Sequence, residues 1–245
     1  MATNFAFLHG GGQGGWVWDQ TIAALRLQAG EDAVRTLALD APGCGAKRGR
    51  DTEGQTMRDV AEELLCDIER AGMDDIILAG HSQAGQAMAF LQQLRPGLFR
   101  RLVYVSCSIP LPGQSVTQMM GTGPRGTHPD EIGWPFDPAS ETSQGKAMRM
   151  FYNDMTVEQA APLLARMHQD MWPLATYSES DWPYEALGAV PSTFILCLRD
   201  EALPPEWQRI FAERFRCEHI VQVDAGHQVM NSRPHALAEI LRMEA

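Results

Sequence analysis

One short segment constrains this chain more than any other. The run Asp75-Ile76-Ile77-Leu78-Ala79 leads straight into Gly80-His81-Ser82-Gln83-Ala84-Gly85, and a helical pattern starts directly after it. A buried strand, a sharp turn of small residues and a helix, in that order, hold the turn residue in a strained backbone geometry with its side chain raised above a sheet. Small neighbours, here Gly80 and Ala84, are needed because a larger side chain would collide with the adjacent strand or helix. The pattern is G-x-S-x-G with Ala84 in the last small position and Gly85 one residue later. A surface serine in a glycine-rich turn would also produce such a segment. Two further segments argue against that.

The first is Phe5-Ala6-Phe7-Leu8-His9-Gly10-Gly11-Gly12-Gln13-Gly14-Gly15-Trp16, an apolar strand running into a glycine-rich loop headed by His-Gly. Without side chains in the way, backbone N–H groups in such a loop can approach a substrate oxygen closely. A phosphate-binding loop is the rival reading. It fails because no Lys-Ser/Thr pair follows, and the glycine spacing with Trp16 and Trp18 suits a dinucleotide fingerprint poorly.

The second lies near the C-terminus. Ser192 to Leu198 reads as a buried strand, with Arg199-Asp200-Glu201 just past its end, then a helix-like stretch from Pro204 to Phe215. His219 to Val223 is a further short strand, ending in Asp224-Ala225-Gly226-His227. An acid therefore follows one strand and a histidine the next. The order Ser82, Asp200, His227 is that of a nucleophile–acid–histidine triad built on successive strand ends.

Together these segments resemble the α/β-hydrolase superfamily over nearly the whole chain. Within it the chain looks most like the small branch of plant-type methylesterases and hydroxynitrile lyases with their bacterial esterase relatives. The resemblance rests on His9-Gly10 through Trp16-Val17-Trp18, Asp40-Ala41-Pro42-Gly43-Cys44-Gly45, the serine turn, Asp200 through Gln208, Gly226-His227 and Phe151-Tyr152-Asn153-Asp154. It implies an α/β fold, the α/β-hydrolase fold, with a mostly parallel central sheet, helices on both faces and a cap inserted after the sixth strand.

The chemistry expected is ester hydrolysis through an acyl-enzyme, with no cofactor and no metal. A serine hydroxyl is a poor nucleophile at neutral pH, so Ser82 needs a base. His227 is that base, and activity should rise with pH through the imidazole range and then level off. Asp200 would hold the other imidazole nitrogen. The backbone N–H of Gln83, next after the nucleophile, would bind the oxyanion, and the resemblance points to Gly11 for the second donor. Gly10, Gln13, His81, Trp134 and Phe151 are candidates for the substrate pocket. Asp224 is a rival acid, but it lies only three residues before His227 on the same strand end. His81 is a rival base, though a residue beside the nucleophile on a strained turn points elsewhere. His9 should orient the glycine loop, and Asp40 should cap or brace the turn that follows it. His128, His168, His219 and His235 have no partner spacing.

The alternation of strands and helices up to Cys107 predicts a parallel sheet covered on both faces. Met57, Val60, Ala61, Leu64, Leu65 and Ile68 recur at helical spacing behind Thr56 as N-cap. Residues 108–187 break the rhythm and are rich in Pro, Gly, Met and aromatics, with a short helix from Val157 to Met167. A structureless loop that long is improbable in a compact domain. The stretch is expected to be a cap subdomain, 108–187, set in a core made of 1–107 and 188–245. Its Met and aromatic residues should mostly form the cap's own core, with roughly a third lining a pocket for small, mostly apolar molecules.

The 31 acidic against 20 basic residues give a net charge of −11, which argues against nucleic acid or an anionic membrane as partner. The five cysteines, Cys44, Cys66, Cys107, Cys197 and Cys217, show no metal spacing and no disulfide framework. They read as buried free thiols in a reducing compartment. With no basic leader segment ahead of an apolar core, the chain is expected to be cytoplasmic. The expected partner is a small-molecule ester, and a homodimer stays open.

Rival functions on the same triad are a hydroxynitrile lyase, a lactonase, an amidase and a C–C bond hydrolase. A non-catalytic ligand-binding member of the fold is a different class again. In the lyases a threonine follows the first histidine of the loop and a lysine follows the catalytic histidine. Here those positions are Gly10 and Gln228. Exchanging both, Gly10→Thr with Gln228→Lys, is therefore expected to move the chemistry towards cyanohydrin cleavage.

Overall fold

The computed structural model describes residues 2–136, 142–167 and 169–245. The chain builds β1 (Thr3–Leu8), α1 (Asp19–Ala29), β2 (Val34–Leu39), α2 (Met57–Arg70), β3 (Ile76–His81), α3 (Ala84–Leu94) and β4 (Phe99–Val105) in turn. An insertion follows with α4 (Val116–Met120), α5 (Ser143–Phe151) and α6 (Val157–Met167). The chain then returns to β5 (Ser192–Cys197), α7 (Pro205–Arg214), β6 (His219–Val223), α8 (Val229–Ser232) and α9 (Pro234–Met243). The strand and helix signals of the sequence lie within one to three residues of these bounds, and α6 coincides with the expected helix.

The six strands form one parallel sheet in the order β2-β1-β3-β4-β5-β6. Side chains alternate across it, as the two-residue period of a strand requires. Ile76, Leu78, Leu102, Tyr104, Phe194 and Leu196 enter one core with residues of α2, α3 and α7. Ile77, Ala79, Val103, Val105, Ile195 and Cys197 enter the other with residues of α1 and α9. Hence β3 and β5 are buried at every position. Helix α2 starts as its sequence indicates. Thr56 Oγ1 accepts from Asp59 N–H at 3.2 Å while the Asp59 carboxylate accepts from Thr56 N–H at 2.7 Å, the reciprocal pair of a capping box.

The chain runs from β1 outward to β2, then crosses back to place β3 on the other side of β1. The loops after β1 and β3 therefore part in opposite directions, which opens a crevice at the carboxyl ends of these two strands. That crevice receives the glycine loop and the serine turn.

The insertion leaves the sheet after its fourth strand in chain order, which corrects the expected place after a sixth: among the described residues only β1 to β4 precede it, and β5 and β6 follow. Ala147, Tyr152, Ala160 and Leu164 of its α5–α6 hairpin form a small apolar cluster of their own. Its other parts merge with the main core through Ile109, Met119, Trp172 and Trp182. All five cysteines are free, but Cys66 corrects the expectation of burial: it is exposed on α2. The buried stripe of that helix is Val60, Ala61, Leu64, Leu65 and Ile68, and Cys66 falls outside it. No described helix is long and apolar enough to cross a membrane.

Candidate active site

Ser82 sits between the end of β3 and the start of α3 with a φ of 54°. That left-handed conformation is rare for a residue with a side chain. It is held by the surroundings: Ser82 N–H donates to Val105 O, and Ser82 O accepts from Gly85 and Ser108 N–H, each at 3.2 Å. Gly80 is required, because a Cβ there would run into the Met88 sulfur and lie 3.1 Å from Ala84 Cβ. The serine is therefore half-buried and faces a cavity of about 510 Å³.

The ends of β5 and β6 supply its partners. His227 Nδ1–H donates to Asp200 Oδ2 at 2.7 Å, and both side chains are buried. The Nδ1–H bond leaves the Nε2 lone pair of His227 for the cavity that His227 lines with Ser82. Asp200 is saturated with donors. Oδ2 also accepts from Ser106 Oγ–H at 2.5 Å, and Oδ1 from the N–H groups of Ala202 and Leu203, both at 2.8 Å. Four donors thus converge on the two oxygens of Asp200 and fix the orientation of its carboxylate against the His227 ring. Phe151 of α5 packs on the His227 ring at 5.4 Å between centroids.

The rival residues separate cleanly. Asp224 is exposed and pairs with Arg199 at 2.7 Å. His81 Nε2–H donates to the His227 carbonyl at 3.0 Å, and burial, then the neighbouring His227, keeps its pKa well below the usual histidine range. It is a neutral brace. His9 is likewise held neutral by burial. Its Nε2 accepts from Ala41 N–H at 3.1 Å and its Nδ1–H faces Gly10 O at 2.8 Å, so it does orient the loop. Asp40 braces more than the turn after it, accepting from Gly15 N–H at 2.7 Å and Ala46 N–H at 2.9 Å. His128, His219 and His235 are exposed, and His168 lies outside the described residues.

Gly10, Gly11, Gln13, His81, Gln83, Trp134 and Phe151, all named from the sequence, line the same cavity as Ser82 and His227. Neither Gly11 N–H nor Gln83 N–H donates to a backbone carbonyl. Met119, Met120, Trp134, Met150, Phe151 and Met171 of the insertion face the cavity, more than the third expected. Lys146 is the lysine among its walls, whereas Arg125 and Arg149 line a separate groove of about 620 Å³ beside Glu201. Sequence reading missed Ser106, Tyr177 and Asp170. Asp170 lies in irregular backbone and Tyr177 ends a short 3-10 turn, Leu174–Tyr177, and neither carries a motif. Burial pushes the Tyr177 phenol up to about 12, so it stays protonated at neutral pH. Among the described residues no group of three His, Cys, Asp or Glu side chains could hold a metal ion.

A parallel sheet carrying a serine turn, an acid and a histidine past the ends of its third, fifth and sixth strands in chain order defines an α/β-hydrolase. The chain belongs to the alpha/beta hydrolase family, whose profile matches residues 5–240. It is 26% identical to polyneuridine aldehyde esterase of Rauvolfia serpentina, covering 97% of this chain and 94% of that protein. It is equally 26% identical to an esterase of Oryza sativa subsp. japonica, over 97% and 94%. Among solved structures, an extracellular α/β-hydrolase from a Paenibacillus species superposes with a TM-score of 0.76 at 19% identity, covering 98% of both chains. That likeness shows the fold.

Proposed function

We propose that this protein is a serine esterase that cleaves the carboxylic ester of a small, mostly apolar molecule through an acyl-enzyme. The observation that carries the reading is the 2.7 Å bond from His227 to Asp200, set in one cavity with a serine at φ 54°. The esterase relatives support it.

Ser82 Oγ attacks the ester carbonyl while His227 Nε2 takes its proton. The oxyanion is received by the Gly11 and Gln83 amides, and Asp200 stabilises the imidazolium. Collapse expels the alcohol, which takes the proton back from His227. Water, deprotonated by the same nitrogen, then releases the acid. Every proton moves between Ser82, His227, substrate and water, so the balance needs no further reagent.

Residues 108–187 act as the cap, with the α5–α6 hairpin closing the cavity over Ser82. Methionine-rich walls adapt to apolar acyl or alcohol groups without demanding one shape. The free cysteines suit a reducing cytoplasm.

The test is a panel of p-nitrophenyl esters, aryl methyl esters and lactones, each run on the protein and on Ser82→Ala. Turnover of uncharged esters that vanishes in Ser82→Ala supports the reading. Turnover that survives the substitution, or dianionic esters reacting faster than neutral analogues, would overturn it.

A further inference from the structure

The Gly10–Gly11 peptide carries one of the two amides that the proposed esterase uses, and its orientation is set from the side away from the cavity. Trp172 Nε1–H donates to Gly10 O at 3.0 Å. His9 reaches the same oxygen at 2.8 Å. A backbone amide can only donate, so the 3.1 Å contact from Ala41 N–H puts the lone pair of neutral His9 on Nε2 and its proton on Nδ1. Gly10 O thus accepts from two fully buried rings, which meet edge to face at 5.5 Å.

The chain holds no cis peptide bond among its described residues. In a trans peptide the C=O and N–H point in opposite directions. Fixing Gly10 O towards Trp172 therefore turns Gly11 N–H the other way. Trp172 belongs to the main apolar core, whereas Gly11 lies on the cavity wall beside Ser82. The carbonyl is thus tied to the core side and the amide is free to face the cavity.

The same segment of the insertion also reaches the side chain of Gln83, the residue that carries the second amide. Gln83 Nε2–H donates to Thr176 Oγ1 at 3.4 Å, and Thr176 Oγ1–H donates to Pro173 O at 2.7 Å. Gln83 Oε1 lies against Gly11, 2.5 Å from where a Cβ on that glycine would sit. The segment is itself anchored. The Asp170 carboxylate accepts from Trp16 Nε1–H at 2.9 Å and Gly45 N–H at 2.8 Å, and Met171 N–H donates to Gly43 O at 3.3 Å.

We propose that Trp172 is a positioning residue for the oxyanion hole: its indole N–H, acting with His9 on the Gly10 carbonyl, aims the Gly11 amide at the tetrahedral intermediate. The proposal rests on the esterase reading above. It assigns to the insertion a part in transition-state stabilisation as well as in covering the cavity.

The test removes the N–H and keeps the ring. Trp172→Phe does so by mutation, and site-specific replacement of Trp172 by 3-benzothienylalanine exchanges only the N–H for sulfur. Loss of a whole oxyanion donor costs about 10²–10³ in rate, so a mis-aimed one should lower kcat by roughly tenfold or more, with KM within about twofold. A trifluoromethyl ketone built on the best ester, which forms a hemiketal oxyanion with Ser82, should lose affinity by the same factor as kcat/KM. The plain methyl ketone, which stays trigonal, should bind unchanged. A purely packing role for Trp172 would instead weaken both ketones alike. Equal weakening, or kcat/KM within twofold of the parent in the benzothienyl protein, would overturn the proposal. Should Trp172→Phe fail to fold, the benzothienyl protein decides alone. No ester turnover by the unsubstituted protein would sink the esterase reading with it, whereas turnover unaffected by the replacements would sink this inference only.

Discussion

Ser106 donates its hydroxyl to Asp200 Oδ2 at 2.5 Å, on the same oxygen that takes the Nδ1–H of His227. Ser106 lies just past β4, is fully buried and has a φ of 42°. The bond ties the residue just past β4 to the loop after β5 that carries the partner of His227. Hydrogen bonds to a charged group contribute about 1.5–3 kcal/mol each. Ser106→Ala should therefore free Asp200 Oδ2 to shift and lower kcat/KM by about tenfold, with a Tm lower by several degrees. Steady-state kinetics and a thermal melt check both. Kinetics unchanged in a protein of lowered Tm would show that Ser106 acts on the fold alone.

The two carboxylates near His227 make an internal control. Asp200→Asn leaves the geometry but offers the wrong partner to Nδ1, and the precedent for such a change is a loss on the order of 10⁴-fold in kcat. Asp224→Asn removes only the exposed pair with Arg199, which is a contribution of about 0–1 kcal/mol. Its kcat should stay within about twofold of the parent. A larger loss in Asp224→Asn than in Asp200→Asn would reverse the assignment. A fluorophosphonate should label Ser82 in the parent protein and nothing in Ser82→Ala.

The strand ends were legible because each residue of the proposed triad follows the end of an apolar strand by one to four positions. Ser82, Asp200 and His227 could be placed from that rule without knowing any contact. The glycine loop was legible because side chains are absent where a backbone must approach. Ser106 and Trp172 were not legible. Nothing in Val105-Ser106-Cys107 marks the serine as a partner for a residue 94 positions later. Trp172 read as one apolar residue among the ten or so of the insertion, since a buried indole looks the same in sequence whether or not its N–H has a task. The exposure of Cys66 was lost for a related reason. Periodicity identifies the buried stripe of α2, but cysteine is small enough to sit on either face.

Two buried histidines give stability a pH dependence of definite sign. Burial lowers the pKa of both His9 and His81 in the folded protein, while in the unfolded chain each titrates near 6.5. Below that value the unfolded state binds more protons, so stability rises with pH. The contribution is complete above about pH 6.5 and is lost as pH falls towards the lowered folded values. Each histidine adds a slope of at most about 1.4 kcal/mol per pH unit. Urea midpoints between pH 7.5 and 5.0 should fall steadily, and His9→Gln should flatten the decline. A decline as steep in both His9→Gln and His81→Gln as in the parent would count against these two groups as its source.

The exchange of Gly10 for threonine, expected from sequence to favour cyanohydrin cleavage, meets a steric obstacle. A Cβ at Gly10 would lie 2.9 Å from Ser82 Cβ, 3.0 Å from His81 Nδ1 and 3.3 Å from His81 O. None of these can retreat easily, because the serine turn is pinned to Val105, Gly85 and Ser108 and His81 is bonded to the His227 carbonyl. The partner position fares no better: Gln228 is buried, so a lysine there would bring its charge into the interior. Gly10→Thr should displace Ser82 from His227, and a misplacement of about 1 Å can cost on the order of 10²-fold in rate. Ester turnover should fall by at least that factor, and the double exchange with Gln228→Lys should release no more cyanide from mandelonitrile than the parent. Even Gly10→Ala should lose most of the activity, since the clash begins at Cβ. Measured cyanide release by the double variant, with a melt as cooperative as the parent's, would show that the loop opens enough to admit the side chain and that the lyase chemistry lies within reach of this scaffold.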